Sequence, residues 1–90
     1  MREYPIVVVI WQDHIAYRRA HIYENPEDGL IWPTLTVGIL YRKTKKTFLV
    51  VSDIERYEDH DESSYTIILR STILSTKKFG TVKLAKLSSH

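Results

Sequence analysis

Apolar and polar positions in this sequence alternate on the short period of extended backbone. Behind Pro5 runs Ile6-Val7-Val8-Val9-Ile10-Trp11, unbroken and mostly β-branched. Such a run predicts a strand dry on both faces, or a strand of a barrel. From Thr34 to Tyr41 the order is Thr-Leu-Thr-Val-Gly-Ile-Leu-Tyr. Here Leu35, Val37 and Ile39 alternate with Thr34, Thr36 and Gly38, which predicts one dry face made by the aliphatic set. Gly38 in mid-strand predicts a bend, a bulge or a close backbone approach. Thr47 to Ser52 is the next β-rich run, joined through Arg42-Lys43-Thr44-Lys45-Lys46 in a hairpin that lacks an Asn-Gly turn.

A fourth strand is predicted over Tyr65–Arg70, and Gly80 opens a last one over Thr81–Leu87, with Val82, Leu84 and Lys86 sharing one side. Ile73 and Leu74 sit between these two. Residues 14–23 fit either of two forms. An extended form puts Ile15, Tyr17, Arg19, His21 and Tyr23 on one face, and a short helix groups Ile15, Arg19 and Ile22. The lack of a helix cap and the adjacent arginines favour the extended form. Asn25-Pro26-Glu27-Asp28-Gly29 is a loop by its turn residues, and Asp53 to Ser64 reads as a long acidic loop. The expectation is an all-β fold with at most one short helix: a small five- to six-stranded SH3-like or Sm-like barrel, with an OB-fold as alternative.

Length changes the picture little. Ninety residues make one domain with a modest core. The absence of cysteine removes disulfides and Cys-based zinc sites. No apolar run approaches the roughly 20 residues of a membrane helix, and the first run is too short for a secretory signal. The expected setting is therefore the cytoplasm, without membrane contact. Charge is more informative. The formal net charge is +2, but residues 53–62 hold six acidic residues against one basic, while 63–90 hold five basic and none acidic.

Laid out in order, Val9-Ile10-Trp11-Gln12-Asp13, Thr36-Val37-Gly38-Ile39-Leu40, Phe48-Leu49-Val50-Val51-Ser52 and Ile68 followed by Ile73 form a pattern. Over residues 7–75 it resembles a group of short, mostly uncharacterised bacteriophage proteins with V-x-W-x-D, [ST]-V-G-[WF]-[LI] and I-P-x-x-x-I motifs. The chain departs from them at Ile68, which Leu69 follows instead of Pro. The resemblance implies a phage origin and a small β-fold, and it assigns no catalytic residue. It turns the functional expectation toward small non-enzymatic proteins that bind host proteins or sequester nucleotide immune signals.

Two groups of residues are candidates for binding. Arg18 and Arg19 lie among Tyr17, His21 and Tyr23. Guanidinium groups fork onto phosphates and stack on rings, so this segment reads as an anion-and-ring site. With it go Trp11, His14 and Trp32, giving an expected ligand-binding set of Trp11, His14, Tyr17, Arg18, Arg19, Tyr23 and Trp32. The second group is Arg42, Lys43, Lys45 and Lys46, an anion-binding cluster that Lys77, Lys78, Lys83 and Lys86 can extend into a basic face.

Other chemistry is weaker. Glu58-Asp59-His60-Asp61-Glu62 suggests metal ligation but fails the calcium-loop pattern, with Ser64 where Gly is required and Arg70 where Glu is required. No serine sits in a nucleophile elbow, and Asp13 beside His14 lacks a positioned nucleophile. The expectation is no enzyme, no metal and no cofactor. The partners expected are a second copy of the chain and a small anionic, nucleotide-like ligand. A host protein is the alternative, and Sm-like RNA binding is less favoured.

Overall fold

The structure, a computed structural model, describes residues 1–12 and 33–87. The segment over 14–23, with both of its alternative conformations, lies outside the described residues. Five antiparallel strands form one sheet: β1 (Arg2–Trp11), β2 (Thr34–Lys43), β3 (Thr47–Arg56), β4 (Asp61–Leu69) and β5 (Ile73–Leu84). The only helical element among the described residues is a 3-10 turn at Arg70–Thr72. The strand order is β4-β3-β2-β1-β5, so the sheet is open, with β4 and β5 as its two edges.

Connectivity forces this open sheet to roll. Opposite edges of a flat five-stranded sheet lie four strand spacings apart, about 19 Å. Leu69 and Ile73, the adjoining ends of β4 and β5, are four residue steps apart, at most about 14 Å even if fully extended. Two backbone hydrogen bonds mark where the roll brings distant parts together. Arg70 N–H donates to the Lys46 carbonyl (2.8 Å), and Gln12 N–H donates to the Thr72 carbonyl (2.9 Å). One turn of chain thus touches both the β2–β3 hairpin and the end of β1.

The core lies inside the roll. Val7 and Val9 of β1 meet Phe48 and Val50 of β3 and Ile68 of β4, and Trp11, Leu40 and Ile73 pack at its margin. Ladder register explains how β1 reaches β3 across β2. Val7 stands opposite Gly38 and Val9 opposite Thr36, so the intervening strand offers little bulk on this side. A Cβ added at Gly38 would lie 2.3 Å from the Val51 carbonyl oxygen and 3.1 Å from a Val50 methyl group. The close approach expected at Gly38 is therefore present.

Two expectations need correction. The dry face of β2 is the Thr34-Thr36-Gly38 side, while Leu35 and Val37 are 61% and 57% exposed. Strong curvature keeps small side chains on the inner face at Thr34, Thr36 and Gly38, with Leu40 reaching the core margin, and turns Leu35 and Val37 outside. The acidic stretch Asp53–Ser64 is no long loop either, since β3 continues to Arg56 and β4 begins at Asp61. One ion pair crosses this hairpin, with Arg56 Nη1 3.3 Å from an Asp61 carboxylate oxygen, while the next rung sets Glu55 opposite Glu62.

Candidate functional site

The residues with most binding chemistry meet where β1 and β2 part. Pro5 has no N–H to donate, and the β1–β2 ladder starts only at Ile6, whereas β1 stays paired to β5 back to Arg2. On the other side of the gap, Tyr41 is the extra residue of a bulge, because Leu40 pairs with Val50 and Arg42 with Leu49. The two irregularities open a groove of about 580 Å³. That size falls within the range of small-molecule sites.

Extending the register Ile6–Ile39 brings Tyr4 opposite Tyr41, and the rings stack with centroids 5.0 Å apart. Tyr4 is buried and Tyr41 half-buried. The Arg2 guanidinium carbon lies 5.7 Å from the centre of the Tyr4 ring. The Leu87 N–H donates to the Tyr41 hydroxyl (3.4 Å), which holds the tail after β5 against the groove. Arg42, Lys43 and Lys86 complete the cationic lining, and Glu3 is its one carboxylate. Glu3 accepts a hydrogen bond from Thr81 Oγ1 (2.9 Å). Four cations against one carboxylate, beside stacked phenols, can hold an anion that carries a flat ring.

Of the expected anion cluster, Arg42 and Lys43 line this groove, while Lys45 and Lys46 are exposed in the β2–β3 turn. Lys77 and Lys78 stand on β5, away from the lining. Trp11 packs against the core, and its Nε1–H donates to Thr36 Oγ1 (2.9 Å). His14, Tyr17, Arg18, Arg19, Tyr23 and Trp32 lie outside the described residues. Lys86, expected to extend the basic face, does line the groove, whereas Arg2 and Tyr4 were missed because the first strand was expected to start only after Pro5. The available signal was Arg2-Glu3-Tyr4, which alternates in the period of the strand that follows.

A second polar cluster caps the β3–β4 hairpin. His60 Nδ1 is 2.6 Å from Asp59 Oδ1, and Nε2 is 3.0 Å from Glu62 Oε2. The Tyr57 ring stacks on the imidazole at 5.0 Å. Hydrogen bonds to Asp59 first, then to Glu62, raise the His60 pKa above its ordinary value. The Tyr57 hydroxyl donates to Glu55 Oε2 (2.6 Å), and this bond raises the phenol's pKa. The carboxylates are thus turned onto an imidazole and a phenol. Among the described residues no group of three or more His, Cys, Asp or Glu side chains is placed to hold a metal ion. None of the described helical structure is long and apolar enough to cross a membrane.

Comparison with protein-family models, with curated proteins and with solved structures finds no match.

Proposed function

We propose that the chain is a non-enzymatic binding protein for a small anionic, ring-bearing ligand of nucleotide type. The observation that carries this reading is the cationic groove around the Tyr4–Tyr41 stack. Cations and phenols make up most of its lining, and these groups hold anions and rings. Self-association belongs to the same reading, and so does an SH3-like or Sm-like barrel, because the rolled strand order leaves only the β4-to-β5 gap to be filled. Sequestration of a host signal, a counter-defence role, rests on the phage resemblance alone. A host-protein adaptor is the second reading, supported by the exposed Leu35, Val37, Tyr65 and Ile67.

Thermal denaturation against a panel of mononucleotides and cyclic dinucleotides tests the first reading, with inorganic phosphate as the anion lacking a ring. A bound nucleotide raises Tm, because it binds only the native state. Arg42→Ala/Lys43→Ala is expected to weaken binding about tenfold or more, through lost charge-assisted hydrogen bonds. A Tm that no nucleotide moves, with a host polypeptide co-purifying, transfers the function to the adaptor reading. Affinity for RNA that falls steeply with salt transfers it to Sm-like binding.

A further inference from the structure

Besides Leu35 and Val37 on β2, both edge strands of this sheet carry exposed apolar side chains. On β4, Tyr65, Ile67 and Leu69 are 58%, 58% and 56% exposed, and on β5 Leu74 and Phe79 are 60% and 62% exposed. Among the described residues neither edge has a ladder partner on its outer side. An unpaired edge offers a row of backbone donors and acceptors to another strand, and proteins normally blunt it. Here β5 carries Lys77, Lys78 and Lys83, while β4 leaves an acidic hairpin and becomes apolar.

We propose that β4 of one copy pairs antiparallel with β5 of the next, joining copies head to tail. This rests on the self-association included in the reading above and specifies its surface. The direction follows from polarity along the two strands. An antiparallel ladder that sets Leu69 beside the partner's Leu74 also sets Tyr65 beside the partner's Lys78. It brings Asp61 and Glu62 within two positions of the partner's Lys83. The apolar end thus meets the apolar end, and the acidic end meets the basic one. A parallel ladder would put Asp61 and Glu62 beside Ile73 and Leu74 and waste the complementarity.

Because the two edges are different surfaces, the contact is heterologous, and its repetition generates a ring or an open filament. It pairs, between copies, the two edges that the sheet leaves without a ladder partner within one. The groove at Arg2 and Tyr41 lies where β1 and β2 part, so edge pairing leaves it open to ligand.

Light scattering on gel-filtered protein over a hundredfold concentration range tests this, with Ile67→Lys/Leu69→Lys as the β4 variant and Leu74→Lys/Phe79→Lys as the β5 variant. These side chains are exposed, so the fold should persist. Far-UV circular dichroism checks that, and Leu69→Lys or Phe79→Lys alone replaces a double variant that unfolds. The expected result is a wild-type assembly larger than a dimer and two monomeric variants. Mixed, the variants should form a one-to-one dimer, since each keeps the edge the other lacks. A wild-type monomer at every concentration overturns both self-association and this surface. An assembly that survives both substitutions keeps self-association and overturns the surface. A β5 variant that dimerises alone shows β4-to-β4 pairing and overturns the head-to-tail arrangement, as does a mixture that stays monomeric.

Discussion

Two side chains settle local questions that the sequence left open. The β2–β3 hairpin lacks an Asn-Gly pair, and Thr44 closes it instead. Its Oγ1 accepts the N–H groups of Thr47 (2.9 Å) and Lys46 (3.2 Å), and its own N–H donates to the Thr47 carbonyl. A hydroxyl that mimics a backbone turn is a known device, but threonine also favours strands, so its presence among lysines did not announce this use. His60 gives a pH dependence. Both its ring nitrogens face carboxylates, and only the imidazolium can donate to Asp59 and Glu62 at once. The folded pKa is raised above the ordinary 6.5. Its contribution to stability is therefore complete below 6.5 and is lost as pH rises through the raised folded value. Urea denaturation across this window should show stability falling with pH, and His60→Gln should flatten that slope. The imidazole is half-buried between solvent-exposed carboxylates, so screening by water keeps the effect small. An NMR titration of His60 that midpoints at or below 6.5 would contradict it.

At the scale of elements, the existence of strands was legible and their facing was not. The β-branched run at Ile6–Trp11 and the alternations at Thr34–Tyr41 and Thr47–Ser52 each became a strand. Period 2 reports two faces without saying which is buried, and in β2 the apolar face is the outer one. Gly38 held the decisive information, because the strand can roll only where β3 passes closely over a residue with no side chain. Gly38→Ala thrusts a Cβ to 2.3 Å from the Val51 carbonyl oxygen, and a neighbouring backbone cannot yield cheaply. The expected loss is about 3 kcal/mol, the upper end of typical overpacking costs. The substitution measures the roll itself, since a flatter sheet would accept alanine with a loss below about 1 kcal/mol. Polar strands were the other blind spot. The ends of β3 and β4 are charged, with Arg56 paired to Asp61 across the hairpin, and hydrophobic patterning has no means of seeing such strands.

The whole molecule is tied by its chain ends. β1 pairs with β5 from Arg2–Leu84 to Trp11–Ile73, with two breaks in register, one at the Phe79–Gly80 bulge where Gly80 takes a φ of +154°. Strands almost the full chain length apart must therefore meet before either is secure. None of this was visible locally, since pairing between distant segments leaves no mark on either one's periodicity. The groove inherits the same dependence: Arg2 and Tyr4 come from the first strand, Tyr41 and Arg42 from the second, and Lys86 from the tail after the last. Removing β5 should accordingly unfold the molecule instead of merely shortening its sheet. A chain ended at Ser71 loses Ile73 from the core margin and leaves Val7-Val8-Val9 as an edge, the kind of edge that aggregates. It is expected to show no cooperative thermal transition, whereas the full chain should melt as one unit and refold in milliseconds to seconds, as folds rich in distant contacts do. A truncated chain that still melts cooperatively would make β1–β4 the folding unit and β5 an added strand.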